Sequence, residues 1–184
     1  MSASQVIILA EDRRTQNLAY HLLVRLGYHK GSIRKEALPA GHGAGNDYVL
    51  KNYASQVKAA QKRPGGTILL VHLDADAETV AHRLKQLSNC LQDDDVVRDP
   101  QVVFHWIPKR NVETWLLWLL APATLDEAVD YKQNFEHEYR GQEAAVAVKL
   151  AALSFFDCSR ANATRPGNCP PSLTLALDDA PPPR

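Results

Sequence analysis

An excess of charge of either sign is missing from this chain of 184 residues, in which Lys plus Arg and Asp plus Glu each number 21. Without net charge there is no long-range field to draw in a polyanion, so any nucleic acid it handles must be held by a local basic patch and by bound metal. Long apolar runs are missing too. None approaches membrane-spanning length, and Met1 to Gln5 is not a basic start leading into an apolar region, which predicts a cytoplasmic protein with no membrane partner. Cysteine is scarce: Cys90, Cys158 and Cys169 are odd in number, far apart and without a Cys-x-x-Cys pair. That spacing fits reduced, packing thiols better than a disulfide framework or a zinc knuckle. The glycine-rich loop Gly41-His42-Gly43-Ala44-Gly45 lacks the Lys-Ser/Thr of a Walker motif and the spacing of a dinucleotide fingerprint. No internal repeat and no linker-like boundary interrupts the chain. What remains is 45% hydrophobic content in one domain of ordinary size, enough to bury a core.

The apolar residues change period along the chain. Val6 to Ala10 is a short continuous apolar run, the pattern of a strand buried on both faces of a parallel sheet. Leu18, Leu22 and Leu26 then recur at helical spacing and Gly27 stops the element, predicting a helix from about Arg13. A second strand is expected over Ser32 to Leu38, closed by Pro39, then a helix from Tyr48 to Arg63 that ends at Pro64-Gly65-Gly66. Thr67 to Leu73 reads as the central strand, followed by a helix with Val80, Leu84 and Leu87 on one stripe. Gln92 to Pro100, with Asp93-Asp94-Asp95, reads as a solvated loop. Gln101 to Pro108 reads as a fourth strand. Asn111 can cap a helix running through Trp115-Leu116-Leu117-Trp118-Leu119-Leu120, apolar on every side and so buried all round. The tryptophans, with apolar neighbours, read as core. Beyond Pro122 the pattern weakens to one helix, Ala144 to Phe156, a loop over Asn162 to Pro171 and a frayed tail at Pro181 to Arg184.

Four alternations of strand and helix predict an α/β fold: a mainly parallel four-stranded sheet, Rossmann-like, with helices on both faces. Residues 1–120 form the α/β core of this reading. Residues 121–184 form a helical extension and tail packed on it, the whole making one domain. In such sheets ligands bind outside the carboxyl ends of the strands. Glu11 follows the first strand, Asp74 and Asp76 the third, and Lys109, Arg110 and Glu113 the fourth, so the chemically interesting side chains fall on one rim.

Asp74 and Asp76 project the same way if the extended backbone persists through Ala75. Two unit charges about 4 Å apart repel by roughly 4 kcal/mol at an effective dielectric of about 20, so close carboxylates want a cation, a proton or an arginine. Plainer roles compete. Asp12 and Asp76 can each cap the helix that follows, and Glu113 suits the first turn of its helix through the helix dipole. Asp74 is harder to explain away, because an acid ending an apolar strand sits at the edge of the core, where an unpaired charge is costly. His72, inside the central strand, reads as a hydrogen-bonded core histidine rather than a ligand. Lys109 and Arg110 can pair with the acids, hold a phosphate or make surface salt bridges. The Gly41 to Gly45 loop reads as a turn whose amides, with His42, can close over a substrate phosphate.

Ile8-Leu9-Ala10-Glu11-Asp12 and Leu73-Asp74-Ala75-Asp76-Ala77-Glu78 resemble the two motifs of the Toprim domain, a glutamate after the first strand and an Asp-x-Asp at the end of a later one. Ile107-Pro108-Lys109-Arg110-Asn111-Val112-Glu113-Thr114-Trp115 is similar to the basic-then-Glu-x-Trp segment of stand-alone, nuclease-like Toprim proteins, among them OLD-type and phage-defence proteins. The resemblance spans about Gln5 to Leu120. It departs where Asp12-Arg13-Arg14 replaces the glycine that many Toprim proteins carry after the glutamate. It implies a Toprim-like fold, Glu11 as general acid/base or metal ligand, Asp74 and Asp76 holding Mg²⁺ or Mn²⁺, and Glu113 as an added ligand. It implies a metal-dependent nuclease acting on DNA or RNA, with a partner ATPase or other defence-system subunit. Two other readings stand beside it. A haloacid-dehalogenase-like phosphatase would use Asp74 as nucleophile and Asp76 as acid/base, but Glu78 stands where that family carries threonine and Glu11 has no task. A catalytically inactive adaptor would keep the fold and recognise a partner through the C-terminal third.

Overall fold

The computed structural model describes residues 5–38, 45–63 and 65–184. Four strands, β1 (Gln5–Ala10), β2 (Ile33–Lys35), β3 (Thr67–His72) and β4 (Val103–Trp106), form one sheet in the order β2-β1-β3-β4. Every pairing is parallel, with Val6 opposite both Ile33 and Ile68, and His72 opposite both Ala10 and Trp106. This is the parallel α/β sheet that the strand–helix alternation predicts. From β1 the chain moves outward to β2, returns past β1 to β3 and continues to β4. The direction of winding therefore reverses between β1 and β3, and the crevice such a reversal opens lies at their carboxyl ends.

Strand parity sorts the core into two layers. Val6, Ile8, Ala10, Ile68 and Leu70 point to one face, where α1 (Arg13–Arg25), α4 (Val112–Leu120), α6 (Gln142–Ser159) and α7 (Pro171–Asp178) cover them, with Phe135 of α5 (Lys132–Glu138). Ile7, Leu9, Leu69 and Val71 point to the other, beneath α2 (Gly45–Lys62) and α3 (Val80–Asp93). Asp12 caps α1 by accepting from the Thr15 amide at 2.8 Å. Gly27, at φ +94°, provides the left-handed residue that ends it.

Several expected elements differ in extent. β2 stops at Lys35, and the ladder gains only one further bond, from Glu36 N to Ile8 O. The Glu36 carbonyl instead accepts from the Gln16 side chain of α1 at 2.7 Å. α2 begins at Gly45, three residues before the expected start, and Pro39 to Ala44 lie outside the described residues, as does Pro64. On α3, Leu87 and Leu91 are buried while Leu84 is 39% exposed. α4 is buried along most of its circumference, with Leu117 and Leu120 half-buried. Helices α5 and α7 answer to no pattern in the sequence. The C-terminal tail is not frayed: Arg184 N donates to Leu26 O at 2.7 Å, and Tyr28 donates its hydroxyl hydrogen to Pro182 O. No helix among the described residues is long and apolar enough to cross a membrane.

A buried acid–histidine group at the switch point

Glu11 leaves the end of β1 and Asp74 the end of β3, neighbouring strands on either side of the reversal. A carboxylate oxygen of each lies within 4.8 Å of the other. Asp74 is 1% exposed, and no N–H or O–H among the described residues donates to either of its oxygens. Burial, then the Glu11 charge, pushes the Asp74 pKa well above its ordinary value. Burial likewise raises Glu11, with Asp12 and Asp76 adding repulsion against the partly compensating contact with Asp74. A low-dielectric pair of this kind is relieved by a proton or by a cation.

The backbone of Glu11 is fixed from the side. A Cβ on Gly45, the first residue of α2, would stand 2.7 Å from Glu11 Cβ and 3.1 Å from its carbonyl oxygen. Only glycine lets the helix start this close to the strand end. Gly45 is thus a packing residue.

The other predicted residues surround this pair without joining it equally. β3 ends at His72 and Asp76 adopts φ +55°, so the extended backbone does not persist and the two aspartates do not project alike. Asp76 accepts from Asn46 Nδ2 at 2.8 Å and lies 3.6 Å from the Arg83 guanidinium. It does not cap α3; Thr79 does, accepting from the His82 amide. Glu113 is buried and ion-paired to Arg14, which also lies over the Phe135 ring. Burial outweighs that arginine and leaves the Glu113 pKa raised. Lys109 donates its ammonium to Glu78 O at 2.5 Å and its amide to Ser172 Oγ at 3.2 Å. Arg110 is half-buried on the same rim. His42 lies outside the described residues.

Two residues escaped the sequence reading. His72 is 1% exposed, and neither of its ring nitrogens has a hydrogen-bond partner among the described residues, so it is not the hydrogen-bonded core histidine expected. One donor atom each from Glu11, His72 and Asp74 lies within 4.8 Å of the other two. Lys132, in the C-terminal third, is the second. Partial burial works against its charge, yet Asp74, Glu113, Glu11 and Asp76 together hold its pKa above the ordinary lysine value. Its position follows from Asn111, which stands at the N-cap of α4 but spends its side chain on Asp130 at 2.8 Å. Asp130 in turn accepts from the Lys132 amide at 2.9 Å. Period-based reading could not find Lys132, because nothing local distinguishes it from other surface lysines.

A cleft of about 450 Å³, which neither Glu11 nor Asp74 lines, sets Arg13, Arg14 and Lys132 against Asp12, Glu113 and Glu136. These opposite charges balance, so the cleft by itself favours neither sign of ligand. No protein-family model, curated protein or solved structure matches the chain.

Proposed function

We propose that the protein is a metal-dependent phosphodiesterase that hydrolyses DNA or RNA, with its active site at the β1/β3 switch point in a Toprim-like arrangement. The observation that carries this reading is the meeting of Glu11 and Asp74. Two acids from the ends of separate strands, Glu11 half-buried and Asp74 buried, converge where a doubly wound sheet binds its ligands, and no donor among the described residues satisfies Asp74. The residues suit a divalent cation, since orphaned buried carboxylate oxygens are hard ligands with a charge to offset. Glu11 and Asp74 would hold it, flanked by Asp76 and Glu113. When bound, Mg²⁺ or Mn²⁺ supplies the positive charge that polarises a phosphodiester oxygen and a water molecule.

The chain's own groups then divide the work. Hydrolysis adds water across one P–O ester bond, and a proton must leave the water and reach the departing oxygen. In this reading Glu11, half-buried at the end of β1, carries that proton or helps to hold the cation. Lys132 and Arg110, from either side of α4, would present positive charge to the phosphate. Lys109 positions the rim through Glu78 and Ser172. With no net charge to concentrate a polyanion, loading of the polymer falls to a partner, for which an ATPase or other defence-system subunit fits the resemblance. The phosphatase reading leaves the contact of Glu11 with Asp74 unexplained.

Purified protein with Mg²⁺ or Mn²⁺ is expected to cleave at least one of plasmid DNA, linear duplex, single-stranded DNA and RNA. Asp74→Asn should lower the rate by roughly a hundredfold or more, the usual scale for losing a charge-stabilising group, with the circular dichroism spectrum unchanged. Cleavage that survives the substitution, or turnover confined to small phosphomonoesters, overturns the proposal.

A further inference from the structure

The buried group contains a nitrogen donor, His72. An unpaired buried polar group costs about 1–3 kcal/mol, so a native structure that keeps one has a use for it. At the last position of β3 and nearly sealed from solvent, His72 has two ring nitrogens that are unpaired among the described residues. Its Nε2 lies 3.7 Å from Asp74 Oδ1, beyond hydrogen-bonding distance. An ion with bonds of about 2.1 Å holds adjacent ligand atoms about 3.0 Å apart and opposite ones about 4.2 Å apart, so a pair at 3.7 Å falls between those limits. Alternation along β3 carries Ile68, Leu70 and His72 to one face, and the Trp115 ring meets His72 edge-on at 6.3 Å, bracing the imidazole. An unpaired imidazole and an unpaired carboxylate standing this close are both satisfied by one body between them.

We propose that His72 is a ligand, so that Glu11, His72 and Asp74 form a mixed nitrogen–oxygen set that takes a first-row transition ion such as Mn²⁺ in preference to Mg²⁺. The inference rests on the cation site invoked for phosphodiester hydrolysis and names its metal class. Mg²⁺ favours oxygen ligands and retains its waters, whereas imidazole nitrogen favours transition ions.

Electron spin-echo envelope modulation on the full-length protein loaded with Mn²⁺ reads the ligands directly, whether or not the enzyme turns over. One imidazole ¹⁴N is expected in the wild-type spectrum, absent in His72→Gln and retained in His42→Ala. Titration calorimetry is expected to show Mn²⁺ bound at least about tenfold more tightly than Mg²⁺, a margin that narrows in His72→Gln. If His72→Gln does not fold, the wild-type spectrum, its shift on ¹⁵N-histidine labelling and its persistence in His42→Ala decide the matter. Mn²⁺ bound without nitrogen modulation, or modulation lost in His42→Ala, overturns the histidine ligand and leaves the phosphodiesterase reading standing. Nitrogen-ligated Mn²⁺ with no cleavage of any nucleic acid does the reverse, and failure to bind Mn²⁺ overturns both.

Discussion

At the scale of single residues, Asp74 bears the sharpest conflict in the molecule. It must either stay protonated or carry a charge that no neighbour donates to. A carboxyl whose pKa is higher folded than unfolded contributes stability that is complete below its ordinary value and is lost as pH rises through the folded one. Without metal, Asp74→Asn is therefore expected to melt above the wild type at about pH 8, by a margin that shrinks towards about pH 5. Scanning fluorimetry on metal-stripped protein measures this, and a margin that grows on acidification contradicts it. Comparing the two proteins removes the contribution of the distant His105 but not that of His72, 3.7 Å from Asp74; both histidines act oppositely to Asp74. His72 is pushed down to about 4 and His105 to about 3 by burial, so the stability they contribute is present above the ordinary histidine range and is lost on acidification. The importance of Asp74 was legible in the sequence because an acid that ends an apolar strand has few innocent explanations. The orphaned state of His72 was not, since hydrogen bonding depends on what surrounds a residue in space.

At the scale of elements, the exposed edge of the sheet is guarded by an ion pair. β4 is an outer strand, and outer strands offer unpaired backbone groups to other chains. Arg98 donates twice to the Val103 carbonyl, while Asp179, just past α7, accepts from the His105 amide at 2.6 Å. Arg98 and Asp179 are themselves paired at 3.2 Å, so together they satisfy the bonds that a fifth strand would make. Removing the carboxylate in Asp179→Ala is expected to cost about 1–3 kcal/mol in urea unfolding and to produce concentration-dependent oligomers on light scattering. An unchanged midpoint and a monodisperse monomer would show the edge to be protected some other way. The strand itself was legible from Val102-Val103-Phe104, but its guard was not, because Arg98 and Asp179 are brought together only when α7 packs against β4.

At the scale of the whole molecule, the C-terminal third belongs to the core. Phe135, Val148, Ala151, Ala152, Phe155 and Leu173 lie in the same apolar layer as Val6, Ile8, Trp106 and Trp115. The Trp106 and Phe155 rings meet at 4.7 Å, and Trp115 Nε1 donates to Ser172 Oγ at 2.8 Å. Burying an aromatic or large aliphatic side chain contributes about 1.5–3 kcal/mol. A chain cut after Leu120 would therefore expose more apolar surface than a marginally stable domain tolerates. Such a fragment is expected to lack a cooperative thermal transition and to bind a hydrophobic dye. A sharp transition near that of the full chain would show that residues 121–184 are dispensable.

By itself the sequence determined the strand–helix alternation, the parallel sheet and the rim on which the acids fall, because those follow from the period of apolar residues and the alternation of side chains along a strand. Tertiary structure alone decided which rim residues meet. It brought Glu11 to Asp74, turned Asp76 aside through a left-handed backbone, left His72 without a partner among the described residues and carried Lys132 in from the far third of the chain. The physical reason is range: periodicity is a property of neighbours in the chain, whereas a shared charge is a property of neighbours in space.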